Sequence, residues 1–320
     1  MHTLYRAARV FADEGFGGLI RRAVRRPFRR KRADPGAFAR EAIETQVAAA
    51  RIEYQRQTDA FDARCRELGL TGLDDHYWYH SVDLGDGLIT PGDYDYRAQV
   101  HSFGFPADLG GKRVLDVGSA TGFFAFEFER RGAEVVSVEL PSLDRWDMLA
   151  AEREDIVREI AAAHNAPSPV AGYDRHLDGP FLFCHARLRS KVKRCYSSVY
   201  DLTLAKLGGE KFDLVYAGDL LMHLFSPLKA LDVLSGLCRG ALMTTIELPF
   251  SGGPTDQPLM SFRGLLNGTE GRTWWMLNRA SVEHLLRRMG FTTVGVAGRY
   301  SGIVRQAWVP YWREVIRGTP

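Results

Sequence analysis

From about residue 112 the chain alternates short apolar runs with amphipathic stretches. Val114-Leu115-Asp116-Val117 reads as a strand, residues 123–131 as a helix closed by Gly132, and 134–138 as a second strand. Residues 144–163 predict one longer helix with Asp144 as its cap, and further strands fall at 212–217 and 240–247. Helices fit 227–238 and 279–289, the latter with Asn278 before it and Gly290 behind it. The closing runs, 291–299 and 302–309, predict an antiparallel pair. Strand–helix alternation with uniformly apolar strands predicts an α/β fold: a doubly wound, mostly parallel sheet with helices on both faces.

Ahead of this region the pattern differs. Residues 37–68 contain strong helix formers and neither Gly nor Pro, which predicts one long polar helix as an N-terminal extension. Residues 76–97 are aromatic and rich in Gly and Asp without a clear period, and read as an ordered loop of the kind that forms lids and binding edges. The domain plan is therefore an arm over 1–35, a helical extension with an aromatic lid loop over 36–109, and a main domain over 110–320. An insertion near 144–197 is longer than one crossover helix needs and is expected to cap the site.

Charge sharpens the reading of the arm. Its first 32 residues hold ten Arg and Lys against Asp13 and Glu14, a charge of +8; with +3 for the whole chain, the remainder carries −5. Over 16–32, Arg pairs recur every four residues with apolar residues between them, a basic amphipathic pattern suited to an anionic membrane surface or to RNA phosphates, or to water alone. With 45% apolar and 25% charged residues the composition is globular. No run approaches a spanning helix and no secretory leader is read, so the expected location is cytoplasmic, with a peripheral membrane contact open through the arm. Four scattered cysteines without a CxxC pair give little support to disulfides or a zinc site.

The most specific chemistry lies in Val114-Leu-Asp-Val-Gly-Ser-Ala-Thr-Gly122, a small-residue turn between a strand and a helix. Such a turn lets backbone approach a ligand and offers it the N–H groups of a helix start. Glu139, at the end of the next strand, is placed to accept hydrogen bonds from both hydroxyls of a ribose. A dinucleotide fingerprint wants a different glycine spacing, and Asp116 on the strand would repel phosphates. An acid there suits a cationic nucleoside ligand.

Together, Leu-Asp-Val-Gly-x-x-x-Gly, Glu139 and the acid in Ser198-Val-Tyr-Asp-Leu202 resemble the class I S-adenosylmethionine-dependent methyltransferases over roughly residues 110–310. That resemblance implies a Rossmann-like, seven-stranded methyltransferase fold and S-adenosyl-L-methionine as cofactor. It implies that the Gly118–Gly122 turn, with Ala120 where glycine is frequent, holds the methionine part near Asp116. Glu139 would bind the ribose and Asp201 the adenine amino group. Asp219, after the fourth strand, joins the cofactor-binding set. The segments 78–92, 212–227 and 274–279 are similar to the narrower branch containing the tRNA wobble-uridine 5-oxyacetate (carboxy)methyltransferases. There the sequence departs: Met222 stands where those enzymes have Tyr, and no Lys stands in the aromatic loop.

Methyl transfer from a sulfonium requires positioning, and a base only for a hydroxyl acceptor. His223 and His80 are the candidate bases, and Trp274 and Trp275 candidate acceptor-pocket or core residues. No metal set emerges: His164, His176 and His185 have non-ligand spacings and are expected to face solvent. The basic run 187–194 reads as an exposed helix end or as a phosphate-facing patch. The expected activity is methylation of a small-molecule or glycan hydroxyl. The alternatives are a tRNA-modifying relative or a non-catalytic cofactor-binding partner subunit.

Overall fold

The computed structural model describes residues 35–249, 253–263, 272–305 and 307–320. The basic arm over 16–32 lies outside the described residues. In chain order the main elements are α1 (Pro35–Glu67), β1 (Arg113–Val117), α2 (Phe123–Arg130), β2 (Glu134–Glu139), α3 (Arg153–Ala163), α4 (Pro169–Tyr173), α5 (Gly179–Leu188), β3 (Lys193–Tyr196), β4 (Phe212–Ala217), α6 (Pro227–Leu237), β5 (Cys238–Leu248), β6 (Met260–Phe262), β7 (Trp275–Leu277), α7 (Arg279–Arg288), β8 (Thr293–Val304) and β9 (Val309–Thr319).

Seven strands form one sheet in the order β3-β2-β1-β4-β5-β9-β8. The first five are parallel, and β9 enters antiparallel between β5 and β8. This is the doubly wound sheet that the strand–helix alternation predicts. Alternate side chains feed two cores. On one face Val114, Leu214, Tyr216 and Met243 meet Phe124 and Phe128 of α2 together with Phe103, Phe105 and Tyr300. On the other, Leu115, Val117, Val215 and Leu242 meet Leu231 and Leu234 of α6 and Val282 and Leu286 of α7. Pro227 opens α6 at a position where its missing N–H is not needed. Asn278 caps α7, its side chain accepting from Ser281 N–H at 2.8 Å.

Two expectations are corrected. The helix expected over 144–163 begins only at Arg153, and Asp144 caps nothing. Residues 146–148 are instead pulled toward the sheet edge. Met148 is buried, Asp147 accepts from Tyr200 hydroxyl at 2.5 Å and Phe225 N–H at 2.6 Å, and its carbonyl accepts from Trp274 Nε1 at 2.8 Å. The final hairpin turns at 305–308 rather than near 300, because Arg305 is drawn inward at the turn.

Arg305 also explains how the N-terminal extension attaches. Its guanidinium donates to Gln57 Oε1 of α1 at 2.9 Å, Ser81 Oγ at 3.2 Å, Gly92 carbonyl at 3.0 Å and Asp95 at 3.1 Å. The aromatic loop folds back on itself around this cation, with Ser81 N–H on Tyr94 carbonyl and Asp93 N–H on Trp78 carbonyl, both at 2.9 Å. The two limbs approach so closely at Gly92 that a Cβ would lie 2.0 Å from the His80 carbonyl carbon. Only glycine fits there.

Arg305→Ala removes one cation and leaves acceptors on α1 and on the aromatic loop unmatched. It is expected to cost about 3 kcal/mol or more in urea denaturation, with Arg305→Lys recovering little because one ammonium cannot replace the planar fork.

Candidate functional site

The carboxyl ends of β1, β2, β4 and β5 define one edge of the sheet, where the predicted residues converge. The turn after β1 is built on left-handed backbone, with φ of +73° at Gly118, +46° at Ala120 and +88° at Gly122. At Gly122 a Cβ would also meet the rings of Phe126 and Phe181 at 2.7 Å, so the helix start is packed as tightly as its backbone allows. Glu139 lies beside the turn: its two carboxylate oxygens accept from Ala120 N–H at 2.9 Å and Leu140 N–H at 3.0 Å. Each oxygen retains a lone pair for a further donor. Beyond it a cavity of about 340 Å³ is lined by Leu140, Pro141, Ser197, Ser198 and Asp201, with Arg145 and Lys206. Asp201 thus shares a wall with the residues that follow Glu139.

Arg194 was not singled out by the sequence and is the residue that organises this turn. The 187–194 run reads as an exposed helix end, yet β3 places Arg194 opposite Ser137 of β2, which in turn stands opposite Asp116 of β1. Its guanidinium donates to Ser119 Oγ at 2.6 Å, Ser137 Oγ at 2.9 Å and Ala120 carbonyl at 3.3 Å, and stacks 3.9 Å over Phe181 of α5. The insertion's α5 therefore covers the turn.

Asp116 is 1% exposed, and its Oδ2 has no hydrogen-bond partner. Burial pushes its carboxyl up to about 7, against the pull of Arg194.

Beside the turn lies a recess. His223, Tyr77, Tyr79, Tyr94 and Arg272 all keep solvent-accessible surface, yet each is crowded by protein strongly enough to shift its ionisation. Tyr77, Tyr79, Tyr94 and Arg272 are half-buried and His223 is exposed, so the recess they outline is open to solvent. Tyr79 and Tyr94 lie 4.9 Å apart, and Tyr94 and Tyr311 5.5 Å. All three phenols are held above the usual tyrosine range, by burial first and also by the charge of Asp219.

Asp219 is therefore at the recess as well as at the sheet edge. Its φ is +47°, its N–H donates to Thr245 Oγ1 at 2.6 Å, and its Oδ1 accepts from Thr245 Oγ1 at 2.7 Å and from Arg313 Nε at 2.9 Å. Arg313, 3.6 Å from Glu247, escaped the sequence reading. Nothing in the local pattern of β9, which also carries Glu314 and Arg317, singles it out.

The two candidate histidines separate. His80 is 4% exposed, pairs with Thr121 Oγ1 at 3.2 Å and packs against Tyr96, Phe123 and Phe124. Burial pushes it down to about 3, and its geometry holds the turn in place. His223 sets its Nδ1 2.7 Å from the Arg272 carbonyl. A carbonyl only accepts, so Nδ1 carries the proton and Nε2 is left with its lone pair. Trp274 is buried, whereas Trp275 is half-buried with its Nε1 on the Phe225 carbonyl at 3.1 Å.

The insertion histidines expected in solvent are half-buried. His164 Nε2 and His176 Nδ1 lie 2.8 Å apart, His176 stacks on Tyr77, and His185 pairs with the Val192 carbonyl. Among the described residues no group of three or more His, Cys, Asp or Glu is arranged to hold a metal. Nor is any helix among them long and apolar enough to cross a membrane.

Residues 92–296 match the family described as Methyltransferase domain. No curated protein matches the chain in sequence. Among solved structures, the chain is similar to the N-terminal domain of EvdMO1 in the presence of S-adenosylhomocysteine and D-fucose, at 18% identity and TM-score 0.45, covering 80% of this chain and 94% of that one. It is similar to Burkholderia thailandensis 1,6-didemethyltoxoflavin-N1-methyltransferase with bound 1,6-didemethyltoxoflavin and S-adenosylhomocysteine, at 17% identity and TM-score 0.41, covering 66% and 72%. It is also similar to magnesium protoporphyrin IX methyltransferase from Synechocystis PCC 6803 with bound S-adenosylmethionine, at 14% identity and TM-score 0.35, covering 66% and 71%.

The buried Asp116 carboxyl gives a signed expectation. In the folded chain it keeps its proton to about pH 7, whereas unfolded it releases it near its ordinary 3.8. The folded state binds more protons between those values, so this group's contribution to stability falls as pH rises through that window. Urea titrations of the wild type and Asp116→Asn across the window should show a difference curve of that sign, and parallel curves would contradict it.

Proposed function

The chain belongs to the methyltransferase-domain family, and from that premise we propose that it moves the methyl group of its cofactor, S-adenosylmethionine, onto a hydroxyl of a small acceptor seated in the recess beside His223. The observation that carries this reading is a nucleoside-sized cavity at the sheet edge, walled by Asp201, with the exposed His223 imidazole and its free Nε2 standing after the neighbouring β4.

The residues present fit the cofactor. The left-handed turn from Gly118 to Gly122 would present N–H groups of the helix start to the cofactor, and the buried Asp116 Oδ2, without a partner among the described residues, would gain from a positive charge nearby. Glu139 would receive the ribose hydroxyls on its remaining lone pairs, and Asp201 the adenine amino group in the cavity with Leu140 and Pro141. Bound there, the cofactor supplies a methyl group already activated on a sulfonium. The protein's part is to orient the acceptor, exclude water and take the proton. His223 Nε2 takes it, while the Arg272 carbonyl holds the imidazole in the required tautomer. Asp219, fixed by Thr245 and Arg313, would form the floor between cofactor and acceptor.

The aromatic side chains of Tyr77, Tyr79 and Tyr94 around the recess suit a small molecule or a terminal sugar. A second reading, carboxymethyl transfer to a tRNA wobble uridine, has one observation behind it. The three segments resembling that branch contribute Tyr79, Asp219 with His223, and Trp274 to this one edge, and Trp274 N–H bonds the Met222 carbonyl at 2.8 Å. Calorimetric titration with S-adenosylmethionine, S-adenosylhomocysteine and carboxy-S-adenosylmethionine distinguishes the two. Tighter binding of the uncarboxylated pair supports the first reading, preference for the carboxylated ligand moves the assignment to the second, and binding of none favours a non-catalytic partner.

Glu139→Ala should weaken S-adenosylhomocysteine at least tenfold by removing two charge-assisted hydrogen bonds, each worth roughly 1.5–3 kcal/mol, and unchanged affinity would contradict the assignment. His223→Ala should lower kcat by about 100-fold or more with little effect on cofactor affinity. Burial first holds the His223 imidazole below its ordinary 6.5. The base is therefore free at neutral pH, and activity should be flat above pH 7 and fall as pH drops through the lowered value. An acid limb centred above 6.5 would point to another group.

A further inference from the structure

Among the described residues, Arg272 is a cation at the recess with no anion to meet it. Arg305 and Arg313, the other arginines drawn into this side of the molecule, meet Asp95 and Asp219 respectively. Arg272 lies 5.3 Å over the Trp146 ring and close to the phenols of Tyr77 and Tyr79. Among the described residues its guanidinium has neither an ion pair nor a side-chain hydrogen bond, and Glu159 acts on it only at a distance. Holding an arginine in crowded surroundings without a counter-charge is unfavourable unless a ligand supplies one. A guanidinium meets carboxylate or phosphate oxygens through two parallel hydrogen bonds, which gives geometry as well as charge.

We infer that Arg272 is the subsite for a carboxylate or phosphate carried by the acceptor, so that the substrate is an organic acid or a phosphate ester. This rests on the reading of the recess as the acceptor site. The acceptor is favoured over the cofactor as the source of the anion because Arg272 is tied to the base. Its own carbonyl holds His223 Nδ1, whereas the cofactor's amino-acid end belongs to the glycine turn. One residue thereby sets the distance between the anion and the atom that loses its proton. The aromatic walls, Trp146, Tyr77 and Tyr79, suit a flat or apolar body between the two.

The test uses the full chain saturated with S-adenosylhomocysteine, titrated calorimetrically at constant ionic strength with matched probes: glucuronate against glucose, and 4-hydroxybenzoate against 4-hydroxybenzyl alcohol. At least one acid should bind ten times more tightly than its neutral counterpart. That preference should fall below twofold in Arg272→Gln and be partly kept in Arg272→Lys. S-adenosylhomocysteine affinity, measured on the same proteins, should stay within twofold, which also reports that the variants fold.

Three results overturn the inference: acids binding no better than their neutral partners, an acid preference that survives Arg272→Gln, or a tenfold loss of S-adenosylhomocysteine affinity in that variant, which would assign the guanidinium to the cofactor. Failure of wild-type protein to bind S-adenosylhomocysteine at all would instead count against the methyltransferase reading itself, and is read before any probe is added.

Discussion

A guanidinium withdrawn from water must be given hydrogen-bond acceptors, and the way Arg194 finds them shapes the cofactor side of this molecule. It takes Ser119 and Ala120 from the turn and Ser137 from β2, and it rests on Phe181 from the insertion. Those contacts join the β1–α2 turn, two parallel strands and α5 into one rigid corner. The corner stands in the same row of the sheet as Asp116, whose lone oxygen lacks a partner. Glu139 then reaches back to the turn's own N–H at Ala120. Backbone that would be strained in isolation is thus held from below by a cation and from the side by a carboxylate.

The side proposed for the acceptor is assembled on a different plan. Asp219 follows β4 and Arg313 lies in β9, 94 residues apart, and the tyrosines around them come from the aromatic loop and the β8–β9 hairpin. The loop can present Tyr77, Tyr79 and Tyr94 because Arg305 fastens it to α1 on its far side. Two buried arginines therefore flank the recess and complete their pairing within the protein, which is what makes the third, Arg272, conspicuous.

Much of this was legible before any coordinates. Strand–helix alternation predicts the parallel sheet, and the small-residue turn with acids at 116, 139 and 201 marks the sheet edge at which we propose that the cofactor binds. Local pattern failed where distant contacts override it. The helical period of 144–152 is real, but burying Met148 and tying Asp147 to Tyr200 and Phe225 outweighs the helix it predicts. Arg194 hid inside a basic run because its neighbours in sequence do face water, and only strand pairing with Ser137 reveals its direction. His164 and His176 were placed in solvent because nothing local indicates that they hydrogen-bond each other across twelve residues. The division of labour between His80 and His223 likewise depends on Thr121 and the Arg272 carbonyl, neither adjacent in sequence.

The place of β9 in the sheet has a consequence for the order in which the chain can mature. β5 pairs with β9, and β8 reaches the sheet only through β9. While a ribosome is still adding residues beyond 248, the edge of β5 is an open ladder of N–H and C=O groups, and Tyr311 and Arg313 do not yet exist to close the recess. The contacts of Arg194 with the turn, β2 and α5, by contrast, draw only on residues up to 194. A nascent chain paused after 248 would carry that corner beside an unpaired strand edge, a state in which a chaperone would protect it until synthesis reaches the last hairpin.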